Sequence, residues 1–155
     1  MLISIFALRR ILLVGEHTFD DRNIEWKRLG DYEFLHYHIL DVDSENTMAD
    51  VLFKFDANEK IFLHRHLGHN NTLVIQGEHR LYHADGSLKE VRAVGSMTST
   101  PPSDDPHHEG AGDQDAVVAF SMRGKDGVMY EILDDDLNVV DTISFQDIED
   151  LNNSA

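Results

Sequence analysis

Ten histidines and no cysteine make imidazole the main metal-binding resource of this 155-residue chain, with carboxylates second. In "IFLHRHLGHNNTLVIQG" (Ile61 to Gly77), His64 and His66 stand two apart. Alternate residues of a strand share a face, so both rings can address one point. Neutral imidazole suits Fe, Zn, Cu and Ni alike. The spacing alone does not select a site, because His36-x-His38 repeats it in "LHYHIL". A third group, His107 and His108, follows a proline-rich turn in "PPSDDPHHEG". Neighbours on an extended segment point to opposite faces, so only one of these two can join a common centre.

Further polar residues surround this set. His69 lies in the turn after His66, within reach as a fourth ligand or a base, but the expected reading is a solvated loop residue. His79 and His83 share a face with Leu81 and could look into an interior cavity. His36 and His38 could line the same cavity, although hydrogen-bonded strand residues is the preferred reading. Glu109 could add a carboxylate, and is expected to face solvent. Trp26, Phe53 and Phe55 are expected in the core.

Such residues need strands to carry them, and the chain supplies many short ones between turn signals. Ile24 to Leu29, Glu33 to Leu40, Met48 to Phe55, Lys60 to His66 and Asn71 to Gly77 read as strands. In Met48 to Phe55 the face of Ala49, Val51, Phe53 and Phe55 is apolar. His79 to Ala84 and Lys89 to Gly95 flank Asp85-Gly86-Ser87, a hairpin turn. Asp115 to Gly124 and Val128 to Leu133 flank Gly124 to Gly127, read as a second hairpin. "SFQDIEDL" is the one helix expected, capped by Ser144 with Phe145, Ile148 and Leu151 at helical spacing. So many strands with so little helix imply an all-β sandwich or barrel.

Bulk properties narrow the function classes. With 29 acidic against 13 basic side chains the formal net charge is -16, which repels phosphate backbones and argues against nucleic-acid binding. Much of the acid lies in "DDDLNVVD" and "QDIED", expected as a solvated face. The missing cysteines exclude disulfides, thiolate zinc sites and cysteine nucleophiles, and fit a cytoplasmic location. No apolar run approaches the roughly 20 residues that span a bilayer. Arg9 and Arg10 split the apolar opening "MLISIFALRRILLVG", so residues 1–23 read as a starting strand or extension and 24–155 as one domain.

The two histidine blocks resemble the paired motifs of the cupin superfamily, the RmlC-like jelly rolls, G(x)5HxH(x)3,4E(x)6G and G(x)5PxG(x)2H(x)3N. His64-x-His66, three residues, Asn70, six residues and Gly77 follow the first motif, with Asn70 or Asn71 where the family has glutamate. Asn58 stands in the place of its first glycine, with Asp56 to Glu59 as the turn. Gly95 is five residues from Pro101, Ser103 replaces the next glycine, and the histidine falls late, at His107 or His108. The resemblance covers about residues 24 to 133. It implies a double-stranded β-helix barrel with His64, His66 and His107, nearer the motif spacing than His108, converging on a divalent metal. Fe(II) is preferred, with Zn(II) or Ni(II) as alternatives.

On this reading the site is all-histidine, as in acetylacetone-cleaving dioxygenase, which the chain resembles in length and ligand type. It is also similar to the zinc-binding cupin domain of anti-sigma factors. Three neutral ligands would leave the full 2+ charge in the pocket and favour an anionic chelating substrate, such as the enolate of a β-diketone or a hydroxyketone. The leading expectation is therefore a non-haem Fe(II) dioxygenase acting on a small molecule. The alternative is a non-enzymatic zinc-binding sensor or binding module. A homodimer is expected, and neither nucleic acid nor membrane.

Overall fold

The computed structural model describes residues 19–124 and 127–154. The opening apolar segment, read above as a strand or extension, lies outside the described residues up to position 18. Among the described residues no helix is long and apolar enough to cross a membrane.

The described chain is an all-β jelly roll with one short helix. In chain order the strands are β1 (Lys27–Arg28), β2 (Leu35–Asp43), β3 (Met48–Phe55), β4 (His64–His66), β5 (Asn70–Gln76) and β6 (His79–Tyr82). They continue with β7 (Leu88–Arg92), β8 (Met97–Thr100), β9 (His108–Ala111), β10 (Ala116–Arg123), β11 (Val128–Leu133) and β12 (Val139–Ser144). The helix α1 (Phe145–Asn153) closes the chain. One layer is a six-stranded sheet in the order β1-β2-β3-β10-β5-β8. The other consists of two three-stranded pieces, β12-β11-β4 and β7-β6-β9, joined by the antiparallel bridges His64↔His107 and Lys60↔Gly110.

The core fills the space between these layers. Leu35 and Tyr37 of β2, Ala49, Val51 and Phe55 of β3, and Val118, Phe120 and Met122 of β10 pack with Met129 and Tyr130 of β11. The apolar face expected for β3 is the one turned inward, with Phe53 packed against the cluster. Trp26, expected in the core, is only half-buried: it lies outside β3, where its Nε1–H donates to Asp21 and Lys54 sits 5.4 Å over its ring. The helix forms as its capping signal requires. Asp147 N–H donates to Ser144 Oγ (3.1 Å) and Ser144 N–H to the Asp147 carboxylate (2.7 Å), a reciprocal capping box. Phe145 and Ile148 are buried against the core.

Two backbone positions follow the chemistry of their residues. Asn58 adopts a left-handed φ of 63°, which asparagine tolerates better than most side chains, and so fills the place of the missing glycine. Gly110 sits where the two pieces of the second layer meet. A Cβ there would come within 2.1 Å of the Glu59 carbonyl oxygen and force the seam apart.

Several strand expectations change. β10 and β11, expected as a hairpin about Gly124 to Gly127, do not pair with each other: β10 pairs with β3 and β5, and β11 with β12 and β4. With both its edges already hydrogen-bonded, β10 has none to offer β11. Strand pairing in the first segment is limited to Lys27–Arg28. Strands β8, β9 and β12 were not expected, because "MTST", "HEGA" and "VVDTIS" lack an apolar alternation. The acidic stretch before β12 is solvated as expected, with Asp134 organising a turn by accepting from the Asn138 N–H (2.8 Å).

Candidate metal centre

The bridge between the two half-sheets also gathers the histidines. His64 and His107 lie directly opposite each other, exchanging backbone bonds of 3.1 and 2.9 Å. Directly opposed residues place their side chains on the same face. His66 follows two residues after His64, and Glu109 two after His107, so the alternation turns all four inward. All four are buried, and one donor atom from each lies within 4.8 Å of every other.

The spacing of the four donors is that of a coordination shell. His64 Nε2 is 3.1 Å from His66 Nε2, and His107 Nε2 is 3.0 Å from Glu109 Oε1. The same oxygen lies 3.5 Å from His66 Nε2 and 3.7 Å from His64 Nε2. Donors at about 2.1 Å from one ion stand roughly 3.0 Å apart at right angles and 3.4 Å apart in a tetrahedron, so the spacing fits a small divalent cation. Hydrogen placement points the same way. His64 donates its Nδ1–H to the Phe62 carbonyl (3.1 Å), which leaves a lone pair at Nε2 aimed into the cluster. Three imidazoles and a carboxylate thus converge on one point, with His66 Nε2 facing the His64 lone pair and His107 Nε2 facing the carboxylate.

Burial and charge act together on these groups. Burial alone would raise the Glu109 carboxyl, but His107, His64, His66 and His79 around it hold it well below its usual range. His66 is lowered to about 4, chiefly because burial disfavours its cation, with Glu109 opposing and His64 and His107 assisting. Tyr130, opposite His66 on β11, is raised by burial and by the Glu109 charge. Its hydroxyl lies 3.4 Å from Asn70 Oδ1, and the Asn70 amide packs against His66 Nδ1. An apolar cavity of about 40 Å³ adjoins the cluster, walled by Leu35, Phe53, Phe55 and Phe120 and reaching His64, Glu109 and Tyr130.

The candidates from the sequence thus separate. His64, His66 and His107 are brought together. His108 points the other way, donating its Nδ1–H to the Ile61 carbonyl (2.9 Å). His69 is half-buried beside Ser99 Oγ (2.8 Å) and stands outside the cluster. Asn70 is buried but braces His66 instead of joining the donors. His36 and His38 project from the face of β2 opposite Leu35 and Tyr37, so they do not line the cavity. His38 bonds the Glu25 carbonyl (3.0 Å) and His36 lies 3.5 Å from Asp56. His83 is exposed in the β6–β7 turn, whereas His79 is fully buried behind Glu109.

Glu109 is the principal correction. Expected in solvent, it is 4 % exposed and supplies the carboxylate that Asn70 does not. The donor set is therefore not all-histidine. Had the alternation applied to His64 and His66 been carried through "HHEGA", it would have put Glu109 beside His107. Tyr130 had no comparable signal, since its place depends on β11 pairing with β4.

Comparisons with known proteins agree with this architecture. The ChrR cupin-like domain family matches residues 14–124. No curated protein matches the sequence. Among solved structures, an RmlC-like cupin protein from Ralstonia eutropha JMP134 aligns with a TM-score of 0.70 at 20 % identity, over 86 % of this chain and 83 % of the other. The acetylacetone dioxygenase of Acinetobacter johnsonii aligns with a TM-score of 0.68 at 12 % identity, over 90 % of this chain and 91 % of the other. At these identities the likeness is one of fold.

Proposed function

Given that the chain belongs to the ChrR cupin-like domain family, we propose that it is a metal-dependent cupin working as a non-haem Fe(II) dioxygenase on a small diketone- or hydroxyketone-like compound. The ligands are Nε2 of His64, His66 and His107 and Oε1 of Glu109. The observation that carries this reading is the convergence of four buried acceptor-bearing groups at the edge of an apolar cavity. The likeness to a dioxygenase of acetylacetone supports the substrate class. Fold alone does not choose a reaction, so the site must carry the argument.

Iron here would supply redox chemistry with dioxygen, whereas zinc in the same ligands would supply only Lewis acidity. The protein's own groups have separable tasks. Glu109 offsets one unit of the cation's charge, which weakens the preference for an anionic substrate argued from histidines alone. The phenylalanine walls exclude water and suit the apolar flanks of a small molecule. Tyr130 stays protonated against Glu109, with its hydroxyl between Met122 Sδ (2.7 Å) and Asn70 Oδ1 (3.4 Å) in the wall behind His66.

A second reading, a zinc-binding module without turnover, is favoured by one feature: the four donors by themselves complete a tetrahedral zinc shell. Elemental analysis of purified protein, followed by oxygen uptake with Fe(II) and acetylacetone under air, separates the two. Iron with rapid oxygen uptake supports the enzyme. Stoichiometric zinc, with no turnover of any diketone or hydroxyketone after Fe(II) exchange, supports the binding module and sinks the dioxygenase.

A further inference from the structure

His79 has no solvent exposure and no hydrogen-bond partner of normal length at either ring nitrogen. Its ring stacks on Phe55 (centroids 5.7 Å, 24°) and meets the edge of Phe120 (6.0 Å, 72°), surroundings in which an aliphatic side chain would ordinarily be better. A buried imidazole without partners costs about 1–3 kcal/mol, so its position calls for a reason. The polar atom facing it is the outer oxygen of Glu109: His79 Nε2 lies 3.4 Å from Oε2. The other oxygen, Oε1, is the one directed at His107, His66 and His64. Strand β6 fixes this arrangement, because His79 pairs with Ala111 and Leu81 with Glu109 on β9. His79 thereby stands diagonally behind the carboxylate.

We infer that His79 is a positioning residue: its Nε2–H holds Glu109 Oε2 so that Oε1 alone is presented to the centre. A carboxylate can turn about its side-chain torsions or bind through both oxygens. The imidazole, clamped between two aromatic rings, removes both freedoms by engaging the outer oxygen. The neutral tautomer spends its one hydrogen on Glu109 and leaves Nδ1 among apolar neighbours, a smaller cost than an unpartnered buried carboxylate oxygen. The inference rests on the metal-centre reading above and extends it to a residue outside the ligand set.

The test uses the full chain, stripped of metal and titrated with Co(II) and Zn(II). Affinity is read by competition with a chromophoric chelator, and coordination by the visible Co(II) absorption bands. His79→Leu should lower affinity about 10- to 100-fold, the usual effect of losing an outer-sphere partner, and should alter the Co(II) bands. His79→Gln, whose amide can donate from a similar place, should restore most of the affinity and the wild-type bands. A purely structural histidine would give equal losses in both variants, and that result overturns the inference. So does a leucine variant with wild-type affinity and bands. Should the leucine variant fail to fold, His79→Met takes its place as a more forgiving filler without a donor. Wild-type protein that takes up neither ion overturns the metal-centre reading itself. That result is distinct from wild-type binding which the loss of His79 leaves unchanged.

Discussion

Two histidine pairs in this chain share the same spacing and have opposite fates. His64 and His66 face the interior beside His107 and Glu109, while His36 and His38 face outward from β2. Spacing of two fixes only that both members share a face. Which face is decided by the residues between and around them. On β2 the alternate set is Leu35, Tyr37 and Ile39, and burying those apolar groups turns the histidines out. On β4 the residue between is Arg65, which pairs with Glu131 on the outer surface (2.5 Å) and leaves the imidazoles inside.

The largest effect that could break this contrast is loss of metal. His64→Ala or His66→Ala should abolish stoichiometric metal, while His36→Ala and His38→Ala keep the wild-type content by elemental analysis. Next comes Glu109→Gln, which preserves shape but removes the anion. It should weaken Zn(II) binding about 100-fold or more in chelator competition, beyond the usual effect of an outer-sphere change. A solvent-facing Glu109 would leave that affinity unchanged.

Stability sharpens the contrast from the other side. Tyr37→Ala, between the two outward histidines, should cost about 3 kcal/mol or more in denaturant unfolding, since it empties part of the core. The metal-free protein should also lose stability on acidification. His66 is lowered from 6.5 to about 4, so between those values the unfolded chain binds a proton that the folded one does not. Stability therefore falls as pH falls through that window, by on the order of 3 kcal/mol. The depressed Glu109 adds a loss of the same sign as pH drops below its ordinary value. Guanidinium titrations from pH 7 to 4 should show this slope, and His66→Gln should flatten it. The smallest effect belongs to His38→Ala, expected within about 0.5 kcal/mol of wild type.

Much of this was legible in the chain. The turn at Asn58, the face of β3, the Ser144 cap and the His64/His66 pair all follow from local residue chemistry. What escaped depends on long-range pairing. "HEGA" has no strand signature of its own and becomes β9 only because β6 lies beside it. Gly124 to Gly127 carries the marks of a hairpin, yet no local rule says that both edges of β10 are taken by strands from elsewhere. Glu109 differs: the alternation from His107 sets it on the same face, although a glutamate beside glycine otherwise reads as surface. Spacing finds donors within one strand, and topology alone brings two strands' donors together.

The seam between the two half-sheets has a mechanical consequence. It is closed by the bridges His64↔His107 and Lys60↔Gly110, with further backbone bonds from Ile61 N–H to the Glu109 carbonyl (2.8 Å) and from Ala111 N–H to the Glu59 carbonyl (3.2 Å), and not by a continuous ladder. An ion held by His64 and His66 on one side and His107 and Glu109 on the other would act as a rivet through that seam. Loading it should slow amide hydrogen exchange at His64, His107, Ile61 and Ala111, whose N–H groups bond across the seam, and far less in the β3–β10 ladder. Metal occupancy would then govern whether the second layer opens as one sheet or as two.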